Sequence, residues 1–166
     1  MFFNMLINKK SFLPIITEDT HSLFLGTLPG EVSLAEHKYY AHPQNKFWRL
    51  IYDVFSTSYQ EDYNQRIEFL LQHGYGLWDV LKQGERKGSL DTAIKNFEVN
   101  DFKKLQEAYP NIQCLYFTSQ QAYKWYLKKY KENLNFELIV LASPSPANAR
   151  MNYLQKLDDW KSKIKI

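Results

Sequence analysis

Ser22-Leu23-Phe24-Leu25, running into Gly26-Thr27-Leu28-Pro29-Gly30, and Phe136-Glu137-Leu138-Ile139-Val140-Leu141, running into Ala142-Ser143-Pro144-Ser145-Pro146-Ala147-Asn148-Ala149-Arg150, are the stretches whose reading decides the fold. Each couples a short apolar run, read as a buried strand, to a loop of Gly, Pro and Ser. In an open parallel sheet the ligand crevice lies beyond the carboxyl ends of the strands. Two loops of this kind are therefore expected to converge on one site.

Between them, apolar periodicity alternates with short strands. Phe47, Trp48, Leu50, Ile51, Val54 and Phe55 recur at helical spacing, and a second helical pattern through Ile67, Leu70 and Leu71 ends at His73-Gly74, where glycine suits a left-handed cap. Tyr75 to Leu81 reads as a short extended or mixed piece, and Lys82 to Asp91 as a polar loop excluded from the core. Asp101 opens a helix through Tyr109, stopped by Pro110-Asn111; Ile112 to Phe117 is a strand; Thr118-Ser119 caps a helix to Tyr130; and a last helix runs from Asn148 to Lys163. Strands alternating with helices predict an α/β fold, a three-layer α/β/α sandwich around a short, mostly parallel central sheet.

A chain of 166 residues fits one domain spanning 1–166, able to bury roughly two thirds of its unfolded surface without staples. The lone Cys114 sits in an apolar run, so cysteine builds no disulfide framework, zinc site or iron–sulfur cluster, and a reducing cytoplasm is the expected compartment. Met1 to Lys10 has its positive charge after the apolar stretch, unlike a secretory leader, and no segment approaches the ~20 apolar residues of a membrane span. Net charge is +3, from 21 basic and 18 acidic side chains. Lysines gather at 124, 128, 129 and 131 and again, with Arg150, at 156, 161, 163 and 165; such a face suits a polyanion, and it equally suits plain solvation.

Three motifs carry a family resemblance: Gly26-Thr27-Leu28-Pro29-Gly30, the run Tyr39-Tyr40-Ala41-His42-Pro43-Gln44-Asn45-Lys46-Phe47-Trp48, and Ser143-Pro144-Ser145-Pro146-Ala147-Asn148-Ala149. In order and spacing they resemble the uracil-DNA glycosylase superfamily, and within it the hypoxanthine (deoxyinosine) DNA glycosylase branch. Gly76-Leu77-Trp78-Asp79-Val80-Leu81, Glu85-Arg86-Lys87-Gly88-Ser89-Leu90-Asp91 and the approach Phe12-Leu13-Pro14-Ile15 extend the similarity over most of the chain.

The resemblance implies base-excision repair of double-stranded DNA containing a deaminated base, by an enzyme that flips the base out and hydrolyses its N-glycosidic bond without metal or nucleotide cofactor; a monomer is expected. Extrusion is needed because the glycosidic carbon is inaccessible in a stacked duplex, and it costs least at a mispaired base. Several branches of the family place Asp or Asn before the Pro-Gly; here Leu28 stands there and cannot polarise water. In the branch resembled, the asparagine after the His-Pro pair takes that duty, which designates Asn45 as the catalytic residue. Asn45 also precedes a helical pattern, where asparagine is a strong N-cap, and the two roles are compatible.

Gly26, Thr27, Leu28, Pro29, Gly30, Tyr40, His42 and Phe47 are the implied base-binding residues, with Tyr40 and Phe47 as stacking rings. The alternative for these aromatics is packing on the sheet, and for His42 a structural hydrogen bond. Ser143, Pro144, Ser145, Pro146, Ala147, Asn148 and Arg150 are the implied wedge and phosphate grip, stiffened by two prolines. Ala142 and Pro144 depart from the proline and threonine common in relatives. Arg86, Lys87 and Ser89 form a second phosphate contact or a solvated loop, and Asp79 either orients a loop or contacts the site. The same fold accommodates a uracil or G:U/T mismatch-specific glycosylase. A non-catalytic nucleic-acid-binding module would use Tyr39, Tyr40, Trp48 and the basic helices as stacking and electrostatic surfaces. Neither loop carries the Gly-Lys-Ser/Thr of a P-loop, and no lysine stands out for Schiff-base chemistry.

Overall fold

The computed structural model describes residues 7–131 and 133–166; most of Met1 to Lys10, read as unlike a secretory leader, lies outside the described residues. In chain order the elements are β1 (Ile7–Lys10), β2 (Ser22–Gly26), α1 (Glu31–Glu36), α2 (Phe47–Val54), α3 (Tyr63–Gln72), β3 (Tyr75–Asp79), β4 (Leu81–Arg86), a 3-10 turn (Asp91–Ala93), β5 (Lys95–Val99), α4 (Phe102–Ala108), β6 (Cys114–Phe117), α5 (Gln120–Tyr130), β7 (Glu137–Val140) and α6 (Tyr153–Lys163).

The central sheet has the order β3-β2-β6-β7, with every neighbouring pair parallel. Side chains alternate across it. Phe24, Tyr75, Leu77 and Tyr116 pack with Phe47, Leu50, Ile51, Leu70 and Trp160 of α2, α3 and α6. Leu23, Leu25, Leu115 and Phe117 pack with Phe102, Leu105, Ala122 and Tyr126 of α4 and α5 on the other face. The expected three-layer α/β/α sandwich is thus present, with the Phe24 ring stacked against Tyr75, Tyr116 and Trp160.

Most local signals act as expected. Asp101 caps α4 by accepting the Lys104 N–H at 3.0 Å, Ser119 caps α5 by accepting that of Ala122 at 3.0 Å, and Gly74 takes φ 79° after α3. Three expectations are corrected. The last helix begins at Tyr153 rather than Asn148, because Asn152 and Gln155 form a reciprocal capping box. The segment from Gly30 to Asn45, expected after the Pro29-Gly30 turn signal to be a loop, contains a short helix, α1.

The third correction concerns Lys82 to Asp91, read as a solvated loop. It holds β4, which pairs antiparallel with β1 and β5 in a separate three-stranded sheet. Its inward positions are Leu81, Gly84 and Arg86. A Cβ on Gly84 would lie 3.0 Å from Ile94 Cγ2 and 3.2 Å from Phe97 Cβ, so any larger residue would press these two side chains aside.

Candidate active site

The carboxyl ends of β2, β3, β6 and β7 deliver one cavity of about 580 Å³, lined from all four strand exits. Gly26 to Gly30 forms one wall and Ser143 to Ala147 another; Tyr40, His42, Asn45, Asp79, Ser89 and Thr118 are among the other lining residues. The two loops separated by more than a hundred residues do meet.

Asn45 sits half-buried at the cavity, held by its backbone N–H to the His42 carbonyl at 2.9 Å. Its side-chain Oδ1 accepts the Phe47 N–H at 2.9 Å, so it caps α2 from one residue before the assigned cap, Lys46. That bond uses one lone pair of the amide oxygen and fixes the amide plane, leaving the second lone pair for a solvent molecule. Capping and water positioning are compatible at this atom.

Tyr40 has φ 53°, a left-handed conformation that is uncommon for a bulky residue. Its ring lies 3.9 Å from that of Phe47 at an interplanar angle of 7°, and its hydroxyl is 3.0 Å from Thr118 Oγ1. Burial pushes the Tyr40 phenol well above its ordinary value, so it remains a neutral hydrogen-bonding group. Phe47 is fully buried under this ring and does not line the cavity, which corrects its expected role as a stacking platform. It supports Tyr40 instead. His42 is exposed at the cavity, and its Nδ1 accepts the Gln44 N–H at 3.1 Å, which assigns the proton of a neutral ring to Nε2.

Asp79, at the end of β3, is 4% exposed, with Oδ2 accepting from the Ser11 hydroxyl at 3.2 Å. A Cβ on Gly26 would stand 2.8 Å from Asp79 Oδ1 and 3.4 Å from the Tyr40 hydroxyl, so glycine alone lets this polar floor close over the strand. Burial raises the Asp79 carboxyl to about 7; Asp91 adds to the rise, while the Ser11 hydrogen bond and Arg86 oppose it.

The second loop is mounted on α6. Ala142 donates to Asp159 Oδ2 at 2.7 Å, Trp160 Nε1 donates to the Ala142 carbonyl at 2.8 Å, and Lys156 Nζ to the Ser145 carbonyl at 3.3 Å. Lys46 N–H, from the second motif, donates to the Pro144 carbonyl at 2.9 Å. Ser143 Oγ and Ser145 Oγ each accept a backbone N–H within the loop, which leaves both hydroxyl hydrogens for an outside acceptor. Asn148 lies off the cavity and knits the loop, donating Nδ2 to the Ser143 carbonyl at 3.2 Å, and Arg150 is exposed beyond it.

Of the second expected phosphate contact, Ser89 lines the cavity and Lys87 is exposed, but Arg86 is 1% exposed. Its guanidinium donates to the Leu28, Pro29 and Ser89 carbonyls and pairs with Asp91 at 3.5 Å. A side chain so enclosed is withdrawn from DNA, which corrects its reading as a phosphate ligand. Asp91 and Thr118 were absent from the expected site residues, and Asp79 was left undecided. Asp79 and Thr118 could have been found from their places at the exits of β3 and β6. Among the described residues no group of three or more His, Cys, Asp or Glu could hold a metal ion, and no helix is long and apolar enough to cross a membrane.

Chemically, the cavity offers an amide oxygen for a water molecule, a neutral phenol and hydroxyls for a heterocycle edge, and serine hydroxyls for an anionic backbone. Comparison with known proteins identifies the family. The family model of the uracil DNA glycosylase superfamily matches residues 14–165. A protein named hypoxanthine DNA glycosylase from Methanosarcina barkeri is 39% identical over 145 residues, covering 87% of this chain and 90% of its own. One of the same name from Methanosarcina acetivorans is 34% identical over the same extent. A solution NMR structure from Methanosarcina acetivorans, described as a candidate uracil DNA glycosylase, superposes with a TM-score of 0.82 at 32% identity, covering 95% of this chain and 96% of that one.

Proposed function

The chain belongs to the uracil DNA glycosylase superfamily, and from that membership we propose that it is a monofunctional DNA-deoxyinosine glycosylase, releasing hypoxanthine from duplex DNA by hydrolysis of the N-glycosidic bond. The observation that carries this reading is the convergence of Asn45 with the Gly26–Gly30 and Ser143–Ala147 loops on one cavity. The enzyme is proposed to act as a single-domain, cytoplasmic monomer.

In the proposed reaction the deaminated base leaves the stack, at a cost of a few kcal/mol that is least for a mispair, and enters beside Tyr40. The C1′–N9 bond breaks with its electron pair going to the base, while a water held by the Asn45 amide oxygen adds to the sugar cation. The water's proton passes to solvent and the base anion takes up one. The Leu28 side chain offers no polar atom to that water, which leaves its placement to Asn45. The Ser143–Ala147 loop enters the space left in the duplex, and its hydroxyls contact the flanking phosphates.

The test is base release from matched duplexes containing hypoxanthine, uracil or xanthine, with wild type and Asn45→Ala, beside thermal unfolding of both. The expected result is hypoxanthine release that falls roughly a hundredfold or more in Asn45→Ala, with stability lowered by only about the 1 kcal/mol of a lost cap. Release of uracil alone would make the protein a uracil or G:U/T mismatch glycosylase of the same fold. DNA affinity retained by both proteins with no base released would reduce it to a binding module.

A further inference from the structure

The first loop is one-sided in its hydrogen bonding. Its carbonyls are all engaged: Gly26 accepts from Val80 N at 2.8 Å, Thr27 from Leu81 N at 3.0 Å, and Gly30 from Leu34 N at 2.9 Å. Leu28 and Pro29 have no backbone donor behind them, and Arg86 Nη2 serves both, at 3.4 and 2.5 Å. The N–H groups of Thr27, Leu28 and Gly30, by contrast, meet no backbone acceptor among the described residues. A cavity-lining loop with its acceptors fastened and its donors uncommitted presents a partial positive charge, as oxyanion-binding loops do.

We propose that Arg86 is a positioning residue for base departure: its buried guanidinium gathers the Leu28 and Pro29 carbonyls behind the loop, so that the loop's uncommitted N–H groups receive the charge developing on the leaving base. This rests on the glycosylase reading above. Asp91 completes the device. It pairs with Arg86 at 3.5 Å and accepts the Thr27 hydroxyl at 2.6 Å, tying the guanidinium and the loop to one carboxylate. Ser89 adds a third tie: its carbonyl accepts from Arg86 at 3.3 Å and its Oγ accepts the Glu31 N–H at 2.9 Å. Burying an arginine costs several kcal/mol unless its donors are met. Backbone carbonyls of the very loop that lines the cavity meet its Nη donors here, while Nε is buried with no hydrogen-bond partner among the described residues, so the arginine is bound up with the loop's shape rather than with the packing of the sheet.

Arg86→Lys keeps the charge but loses the planar fork that reaches three carbonyls and a carboxylate together. Asp91→Asn keeps an acceptor for Thr27 and loosens Arg86 alone. Single-turnover release is measured for wild type and both variants on duplexes carrying hypoxanthine or its more acidic 2-fluoro derivative, with affinity for a duplex bearing a non-hydrolysable abasic analogue measured in parallel.

A base that carries its own negative charge well needs the loop less. The expected result for Arg86→Lys is therefore hypoxanthine release slowed by roughly a hundredfold, as when an oxyanion donor is lost, but 2-fluorohypoxanthine release by less than about tenfold. Abasic-duplex affinity should stay within about twofold, since the phosphate contacts are untouched. Asp91→Asn should show the same dependence on the base with smaller losses, and it decides the matter if Arg86→Lys does not fold. Equal slowing of both bases, loss that tracks DNA affinity, or no slowing would overturn the inference while leaving the glycosylase reading intact. A wild type that releases neither base would overturn both.

Discussion

Asp79→Asn should make the protein more stable at alkaline pH and much less so at acid pH. The wild-type carboxyl is enclosed at the cavity floor with one hydrogen bond, from Ser11, and burial raises it from the ordinary 3.8 to about 7. The folded protein therefore holds this proton up to about pH 7, whereas the unfolded chain releases it near 3.8. Stability associated with Asp79 is complete below the unfolded value and is lost as pH climbs towards the folded one. At 1.36 kcal/mol per tenfold change in proton affinity, the loss above pH 8 totals about 4 kcal/mol, an upper figure for a group with partial access to the cavity. Integrated over the measurable window, wild type loses about 2 to 3 kcal/mol between pH 5 and pH 8.5 through this group, and the amide variant loses nothing. Urea unfolding of both proteins at those two pH values provides the measurement, because other titrating groups change both alike and cancel in the difference. Curves whose separation is the same at both pH values would refute the reasoning.

Asn45→Asp retains an oxygen for the Phe47 N–H and should keep wild-type stability to within about 1 kcal/mol while releasing hypoxanthine far faster than Asn45→Ala, a contrast read by single-turnover kinetics with unfolding. Gly76→Ala brings a Cβ to 2.5 Å from the Ile15 carbonyl, so thermal or chemical unfolding should register a loss of about 1–3 kcal/mol. Lys156→Met removes the donor that holds the Ser145 carbonyl; DNA affinity should fall severalfold, uniformly across bases, and a loss confined to one base would contradict its placement.

Three strands of the parallel sheet, β2, β6 and β7, were legible because they are mostly apolar and run into Gly, Ser or Pro, whereas β3 read only as an extended or mixed piece because Asp79 passes straight into Val80 and β4. α2 was legible because six large side chains keep helical spacing. The antiparallel sheet was not, since Leu81-Lys82-Gln83-Gly84-Glu85-Arg86 spends its inward positions on a leucine, a glycine and an arginine, which in sequence reads as charged surface. The same disguise hid the role of Arg86. Phe47 misled in the opposite sense: its place beside the site is real, but whether a ring is offered or covered depends on Tyr40, whose left-handed backbone no periodicity announces. Asn152 was missed for Asn148 because two asparagines lie four residues apart and only one has a glutamine three residues on.

Fastening both loops to separate mounts, one to β4 through Arg86 and the other to α6 through Asp159 and Trp160, has a consequence for how damage is found on a long duplex. Walls held this firmly cannot reshape themselves around each nucleotide that passes, so the sampling falls to the DNA. A pair that opens readily on its own delivers its base into a receptacle already formed, and a sound pair closes again before anything has been read. The first act of discrimination then belongs to the weakness of the lesion, and the rigidity of the protein is what lets that weakness count.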